Sequence, residues 1–274
     1  MDFVSQIIDY IQKNKIEIII VLTVLIFFFI MYKYKHVFEK FTSDNRIEIV
    51  VSRYNEELKW LNEDPFSKYP VICYNKGVNE NYKIKNMKKS VKLANVGRES
   101  HTYLYHIINN YDNLADITIF LPGSADSKEY NKQIRSILLA KECENANTSV
   151  IIGVKHNSVK KKLYNFAMNN YKSTTPENRK INSETILDLC KIRPYGKWFE
   201  NKFPDVDIEY IPYSGIIAIS KQHILQHPRS YYERLMDELS YSSNPEVGHY
   251  FERSWVAVFH PLTNARFIDA SSLF

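Results

Sequence analysis

Apolar, β-branched runs that each stop abruptly at a polar loop recur along this chain, and they restrict it to a narrow set of folds. Ile47 to Val51 stops at Ser52-Arg53-Tyr54-Asn55-Glu56, and Pro70 to Tyr74 stops at Asn75-Lys76-Gly77. Val91 to Ala94 leads to Asn95-Val96-Gly97-Arg98-Glu99-Ser100, Asp116 to Leu121 to Pro122-Gly123-Ser124-Ala125-Asp126, and Ser149 to Val154 makes a fifth run. Runs of this length read as buried strands. Helical patterns fall between them: Glu56 to Glu63, with Asn55 placed to cap it and Pro65 to end it, then His101 to Ile108, then Ser127 to Lys141. Strands alternating with helices predict an α/β fold with a mostly parallel, doubly wound sheet. In such sheets ligands are read beyond the carboxyl ends of the strands, so the polar loops are where function is expected.

The remaining length fits one large domain, since 274 residues with 45% hydrophobic and 24% charged side chains can bury a full core. Net charge is +5, but lysines and acids are interspersed without an arginine block, so nucleic acid is not the expected partner. Cys73, Cys143 and Cys190 lie far apart, which suggests neither a zinc cluster nor a disulfide framework.

Before the first strand stands an uncharged run, Ile18 to Tyr32, flanked by Lys13, Lys15 and Glu17 on one side and Lys33 and Lys35 on the other. It predicts a single-pass transmembrane helix over residues 16–35, with a tail at 1–15, a linker at 36–45 and the α/β domain at 46–274. Fifteen residues at about 1.5 Å each cover ~22 Å of a ~30 Å hydrocarbon core, the difference falling to snorkelling lysines and interfacial Tyr32 and Tyr34. Lys33, Lys35, Lys40 and Arg46 favour a cytosolic domain, whereas the sequon Asn147-Thr148-Ser149 points the other way, so orientation stays open.

The second half is less regular. Asn157 to Tyr171 and Ser183 to Ile192 read as helices on either side of a turn-rich stretch, Ser173 to Asn178. Arg193 to Phe199 is aromatic and basic, which suits either a sugar-stacking platform or a hinge into the core. Ile208 to Pro212 and Gly215 to Ile219 read as strands near the sheet edge, and a helix follows Pro228. A last helix begins near Pro245, and on it His249 and Glu252, three apart, share a face. Glu252 beside aromatics is a candidate proton acceptor, with His249 as the fallback; the alternative is a buried ion pair between Glu252 and an arginine. At Asn95 to Ser100 a helix start offers unpaired N–H groups, Gly97 permits close backbone approach and Arg98 adds a two-pronged donor for a phosphate or carboxylate. The alternative there is a solvated Arg98–Glu99 pair.

Val51 to Glu56, Tyr74 to Gly77, Asn95 to Ser100, Phe120 to Gly123 and Phe251-Glu252-Arg253-Ser254-Trp255 together resemble a family of uncharacterised proteins of fungi and large DNA viruses, over roughly Ile47 to Phe259. More distantly, the order of motifs is similar to that of inverting glycosyltransferases with the nucleotide-sugar-binding fold called GT-A. That resemblance implies a GT-A-like sheet and a nucleotide sugar and glycan acceptor as partners. Arg53, Tyr54, Asn55, Glu56 and Lys76 would then lie toward the nucleotide, and Asn95, Gly97 and Arg98 toward its diphosphate. It also implies a Mn²⁺ or Mg²⁺ cofactor on an Asp-x-Asp at the end of the fourth strand. Here that place reads Leu121-Pro122-Gly123-Ser124-Ala125-Asp126, leaving Asp126 as a single weak ligand. Either Arg53, Lys76 and Arg98 neutralise the leaving diphosphate in its stead, or the chain is a non-catalytic glycan-binding or structural module of the same fold.

Overall fold

The computed structural model describes residues 3, 12–33, 46–169 and 187–273. The chain divides into two units, Met1–Asp44 and Asn45–Phe274. In the first, helix α1 (Lys15–Lys33) is 19 residues long. Ile16, Val21, Val24, Leu25, Ile26, Phe28, Phe29 and Ile30 on it are exposed. Among the described residues no helix is long and apolar enough to cross a membrane, so the expected spanning helix is not met. The reason lies in the charges: Lys15, Glu17 and Lys33 leave an uncharged stretch of only ~22 Å against a core of ~30 Å. The linker at 36–45 lies outside the described residues.

The second unit runs β1 (Ile47–Arg53), β2 (Val71–Asn75), β3 (Met87–Lys92), α2 (Arg98–Asn109), β4 (Ile117–Pro122), α3 (Lys132–Asn145), β5 (Val150–Lys155) and α4 (Val159–Lys162). It continues through α5 (Tyr195–Lys202), β6 (Tyr210–Ile211), β7 (Ile217–Ser220), α6 (Lys221–Ile224), α7 (Arg229–Asp237), α8 (Glu246–Val258) and β8 (Arg266–Asp269). The strands make one mixed sheet in the order β3-β2-β1-β4-β7-β5-β6, with β8 also on β5. β3, β2, β1 and β4 are parallel neighbours, and β8 is parallel to β5. β7 is antiparallel to both β4 and β5, so β5 runs in the direction of β4. The fold is thus α/β with a central sheet, and its first four parallel strands end together at one edge.

Alternation along the strands explains the two-sided core. Val50, Ile72, Phe120, Ile151 and Ile217 face one layer, where Tyr103 of α2, Trp198 of α5 and Trp255 of α8 are fully buried. Ile49, Val51, Cys73, Ile119 and Ile152 face the other, against Trp60, Phe66 and the apolar side of α3.

Several elements differ from the sequence reading. No α-helix forms over Glu56 to Glu63; two short 3₁₀ turns, Lys59–Asn62 and Phe66–Lys68, take its place. Asn55 does not cap them, because the Glu56 carboxylate folds back to accept from the backbone N–H groups of Tyr54 and Asn55. β3 begins earlier than its apolar residues suggest, since pairing with β2 orders the exposed, charged stretch Met87–Ser90. β7 lies inside the sheet and not at its edge. The helix expected from Asn157 is a single turn, Val159–Lys162, and Leu187 to Ile192 are not helical; residues 170–186 lie outside the described set. The aromatic stretch Arg193 to Phe199 is core, with Tyr195, Trp198 and Phe199 buried in α5 and none available to stack on a sugar.

Candidate functional site

At the carboxyl edge of β1 the loop Tyr54-Asn55-Glu56 is gripped from both sides. A Cβ at Gly77, in the loop after β2, would stand 1.6 Å from the Tyr54 carbonyl oxygen, and one at Gly123, in the loop after β4, 2.6 Å from Glu56 Oε2. Only glycine lets the three loops approach this closely. Arg53 ties them from below: its Nε donates to the Glu56 carbonyl at 2.8 Å and one terminal nitrogen to Asn75 Oδ1 at 2.8 Å. Its guanidinium lies 4.3 Å from the centre of the Tyr82 ring. Arg53 is therefore a buried brace, and among the described residues only its Nη2 lacks a partner. Tyr54 and Asn55 are half-buried at the surface of the loop, with Asn55 Oδ1 accepting from the Asn79 N–H at 3.4 Å.

The next loop carries Lys76, which is buried and donates from Nζ to the carbonyls of Val96, at 2.6 Å, and Arg98. Burial pushes this ammonium down to about 7; Arg98 adds to the effect and Glu99 opposes it. Its two carbonyl partners belong to the turn that opens α2. Asn95 is half-buried at the start of that turn. Gly97 and Arg98 both have positive φ, 60° and 53°, and Gly97 N–H donates to the Ser242 carbonyl at 2.7 Å. Two consecutive left-handed residues swing the Arg98 side chain across α8, where a Cβ at Gly248 would meet Arg98 Cδ at 3.0 Å.

Arg98 thereby comes within electrostatic range of His249 and Glu252, residues more than 150 positions away in sequence. Glu252 Oε1 accepts from the Ser214 N–H at 2.7 Å, and Oε2 lies 3.2 Å from Arg253 and 3.8 Å from His249 Nδ1. Burial and the charge of Arg98 push His249 down to about 4, so the ring is neutral at pH 7. Burial works to raise the Glu252 carboxyl, but the adjoining His249 and the charges of Arg253 and Arg98 outweigh it and hold the group well below the usual carboxylate range. Glu252 is thus the half-buried ion-pair partner of Arg253, with Arg98 adding its charge from farther off. A carboxylate held so firmly ionised is a weak proton acceptor at neutral pH.

Two residues of this cluster, Lys132 and Arg135, carried no signal of their own in the sequence, and a third, Glu99, was visible there only as the partner of Arg98 in a solvated pair. Lys132, at the start of α3, donates to Ser124 Oγ at 3.3 Å; burial lowers its pKa, against the pull of Glu99 and Glu252. Arg135 is fully buried and holds the Tyr213 carbonyl at 2.8 Å and Ser214 Oγ at 3.1 Å, fixing the turn that donates to Glu252. Glu99 is half-buried, and among the described residues its carboxylate accepts no hydrogen bond, lying 3.8 Å from Arg98 Nε. Positive φ at Tyr130 and Asn131 turns the chain sharply into α3 just before Lys132, which no helical period reveals. In sum, Lys76, Arg98, Lys132, Arg135 and Arg253 surround two carboxylates, Glu99 and Glu252. Such an excess of partly desolvated positive charge beside strand ends is suited to an anion.

A divalent metal does not fit the donor set at the end of β4. Asp126 is the one carboxylate of the loop's own sequence and is exposed; partial burial and Glu63 raise its pKa, and Lys132 opposes them, while the Glu56 carboxylate that reaches Gly123 is taken up by the N–H groups of Tyr54 and Asn55. Among the described residues no three His, Cys, Asp or Glu side chains gather into a metal-holding group.

A family model described as a protein of unknown function (DUF3431) matches residues 49–267, and the chain belongs to this family. No curated protein matches it. Among solved structures it is similar to 4-diphosphocytidyl-2C-methyl-D-erythritol synthase from Anaerococcus prevotii DSM 20548, with 11% identity over 82% of this chain and 89% of that one. The TM-score is 0.33, too low to support an argument about site or activity.

Proposed function

We propose that this DUF3431 protein is a glycosyltransferase-like enzyme that holds the diphosphate of a nucleotide sugar among Arg98, Lys132 and Lys76 and passes the sugar to a glycan or glycoprotein acceptor. The observation that carries this reading is the partly buried cation excess at the carboxyl edge of the sheet, with Arg98 drawn over Gly248 by two left-handed residues. Tyr54 and Asn55, half-buried on the loop clamped by Gly77 and Gly123, would meet the nucleoside in this reading. In the proposed step the acceptor hydroxyl attacks the anomeric carbon, the bond from that carbon to the phosphate oxygen breaks, and configuration inverts. The pair of electrons leaves with the nucleoside diphosphate, whose charge Arg98 and Lys132 balance. The hydroxyl proton passes to Glu99, the half-buried carboxylate without a hydrogen bond, in preference to Glu252 or His249.

Release of nucleoside diphosphate from a panel of sugar nucleotides tests this directly. Glu99→Gln is expected to slow turnover by ~10²–10⁴-fold while leaving donor affinity nearly unchanged. Glu252→Gln should instead lower thermal stability together with activity, because it discharges the ion-pair partner of Arg253 and removes the negative charge that Arg98 feels. Equal turnover in Glu99→Gln and wild type would remove Glu99 from the mechanism. The non-catalytic reading is favoured by the lone Asp126 after β4, and glycan binding without affinity for any sugar nucleotide would select it.

Membrane attachment through residues 16–35 belongs to the same proposal. Its support is the row of exposed apolar side chains on α1, Val21, Val24, Leu25, Ile26, Phe28, Phe29 and Ile30. The full chain is expected to sediment with membranes through a high-salt wash, and a chain starting at Asn45 to remain in the supernatant. Equal distribution of the two would exclude α1 as the attachment.

A further inference from the structure

At the carboxyl end of β5 the chain builds a second basic feature that the proposed donor site does not use. A cavity of ≈ 550 Å³ is lined by Lys155, His156, Asn157, Ser158, Lys161 and Lys162. Lys161 and Lys162 are exposed and have no ion-pair partner among the described residues. The acidic groups nearby are engaged: Glu209 stands 3.7 Å from Lys155, and Asp207 accepts from Ser158 Oγ at 2.8 Å. His156 is half-buried, and its Nε2 is shielded from solvent with no hydrogen-bond partner among the described residues.

We propose that this cavity binds the phosphate or sulfate ester of a sugar, with Lys155, Lys161 and Lys162 balancing the charge of the ester. His156 lines the same cavity, close enough to feel the charge of the ester, and the cavity volume of ≈ 550 Å³ leaves room for the sugar ring beside it. β5 runs in the direction of β4, so this cavity and the donor site lie at the same edge of the sheet. In a transferase that edge is where an acceptor would lie, so the charged sugar is assigned to the acceptor; this last step rests on the proposed function. The binding claim itself does not.

Titration of the full chain with a hexose 6-phosphate, inorganic phosphate and the uncharged hexose, followed by calorimetry and by the His156 ring resonances, tests it. The hexose phosphate is expected to bind, inorganic phosphate to compete with it, and the uncharged hexose to bind far more weakly. The double variant Lys161→Glu and Lys162→Glu, both exposed, should lose about tenfold or more of this affinity. Burial and the charge of Lys162 lower the His156 pKa while Asp269 raises it, and a bound dianion should move it upward against Lys155 and Lys162. Unchanged hexose phosphate affinity in the double variant, equal binding of the uncharged hexose, or an unmoved His156 resonance would each overturn the assignment. Sugar-nucleotide affinity should be the same in wild type and double variant. If no sugar nucleotide binds either protein while the charge-dependent binding persists, the cavity stands and the transferase reading falls.

Discussion

Replacing Arg98 by alanine is expected to weaken sugar-nucleotide binding by ~10–100-fold, the usual loss when one charged hydrogen-bonding partner of an anion is removed. The effect should be specific to the two phosphates: the free nucleoside, which lacks them, should bind wild type and variant alike. Lys76 gives the same site a pH dependence of predictable sign. Its pKa in the free protein is about 7, with Arg98 and Glu99 as the charged groups acting on it, and a bound diphosphate favours the protonated form and raises that value. Affinity should therefore be full below about pH 7 and decline as the pH rises through 7, until the raised pKa of the complex is passed. The two phosphates of a sugar nucleotide stay ionised over this range, so the slope reports on the protein. Calorimetric titrations at pH 6, 7, 8 and 9 would show it. Affinity that is flat with pH, or unchanged in Arg98→Ala, would place the diphosphate elsewhere.

The largest stability effect should come from Glu246, which opens α8 and is fully buried. Its Oε1 accepts from the Met168 N–H and the Tyr250 hydroxyl, each at 2.8 Å, and its Oε2 accepts from the Cys190 N–H at 3.0 Å with Arg193 Nε 2.8 Å away. One carboxylate thus satisfies donors from three separate stretches of chain around 168, 190–193 and 250. Glu246→Ala leaves two backbone donors and an arginine without their acceptor, which costs ~3–5 kcal/mol for a broken buried pair. For a unit of this size the melting temperature should fall by about 10 °C or more. Glu233→Ala, on the exposed face of α7, should stay within ~0.5 kcal/mol of wild type. If thermal denaturation shows the two substitutions to be equivalent, Glu246 does not hold these segments together.

These two residues also mark what a sequence can and cannot disclose. Ile47 to Val51, Pro70 to Tyr74, Asp116 to Leu121 and Ser149 to Val154 were legible as strands because burial on both faces writes an apolar run directly into the chain. Met87–Ser90 was not, since its side chains stay in water and only pairing with β2 orders its backbone. Gly215 to Ile219 was legible as a strand, but its place between β4 and β5 depends on partners about 70 to 100 residues earlier. The glycine turn, Arg98, His249 and Glu252 stood out in the sequence, and the structure brings Arg98 to the other two. The role of Glu252 was not legible: adjacency to Arg253 is visible in sequence, but the Ser214 N–H and Arg98 come from remote loops. Lys132 and Arg135 looked like ordinary helix surface, and only the sharp turn at Tyr130–Asn131 directs them inward. The role of Glu246 has no pattern in the sequence, because its donors lie as many as 78 positions away.

The reversal of β7 has a consequence for how such proteins can diversify. A strand laid against the grain begins where its neighbours finish: Ile217 sits beside Phe120, and Ser220 beside Ile117. The turn Tyr213–Gly215 therefore arrives at the rim as a lead-in, delivering the Ser214 amide to Glu252 before any residue of the strand has been laid down. Lengthening that lead-in would pull apart the arginine cluster, whereas the exposed residues just beyond α6, at the opposite end of the strand, can accept an insertion at little cost to the chemistry. An epitope or fluorophore inserted after Leu225, which is exposed at the end of α6, should leave the rim as it is.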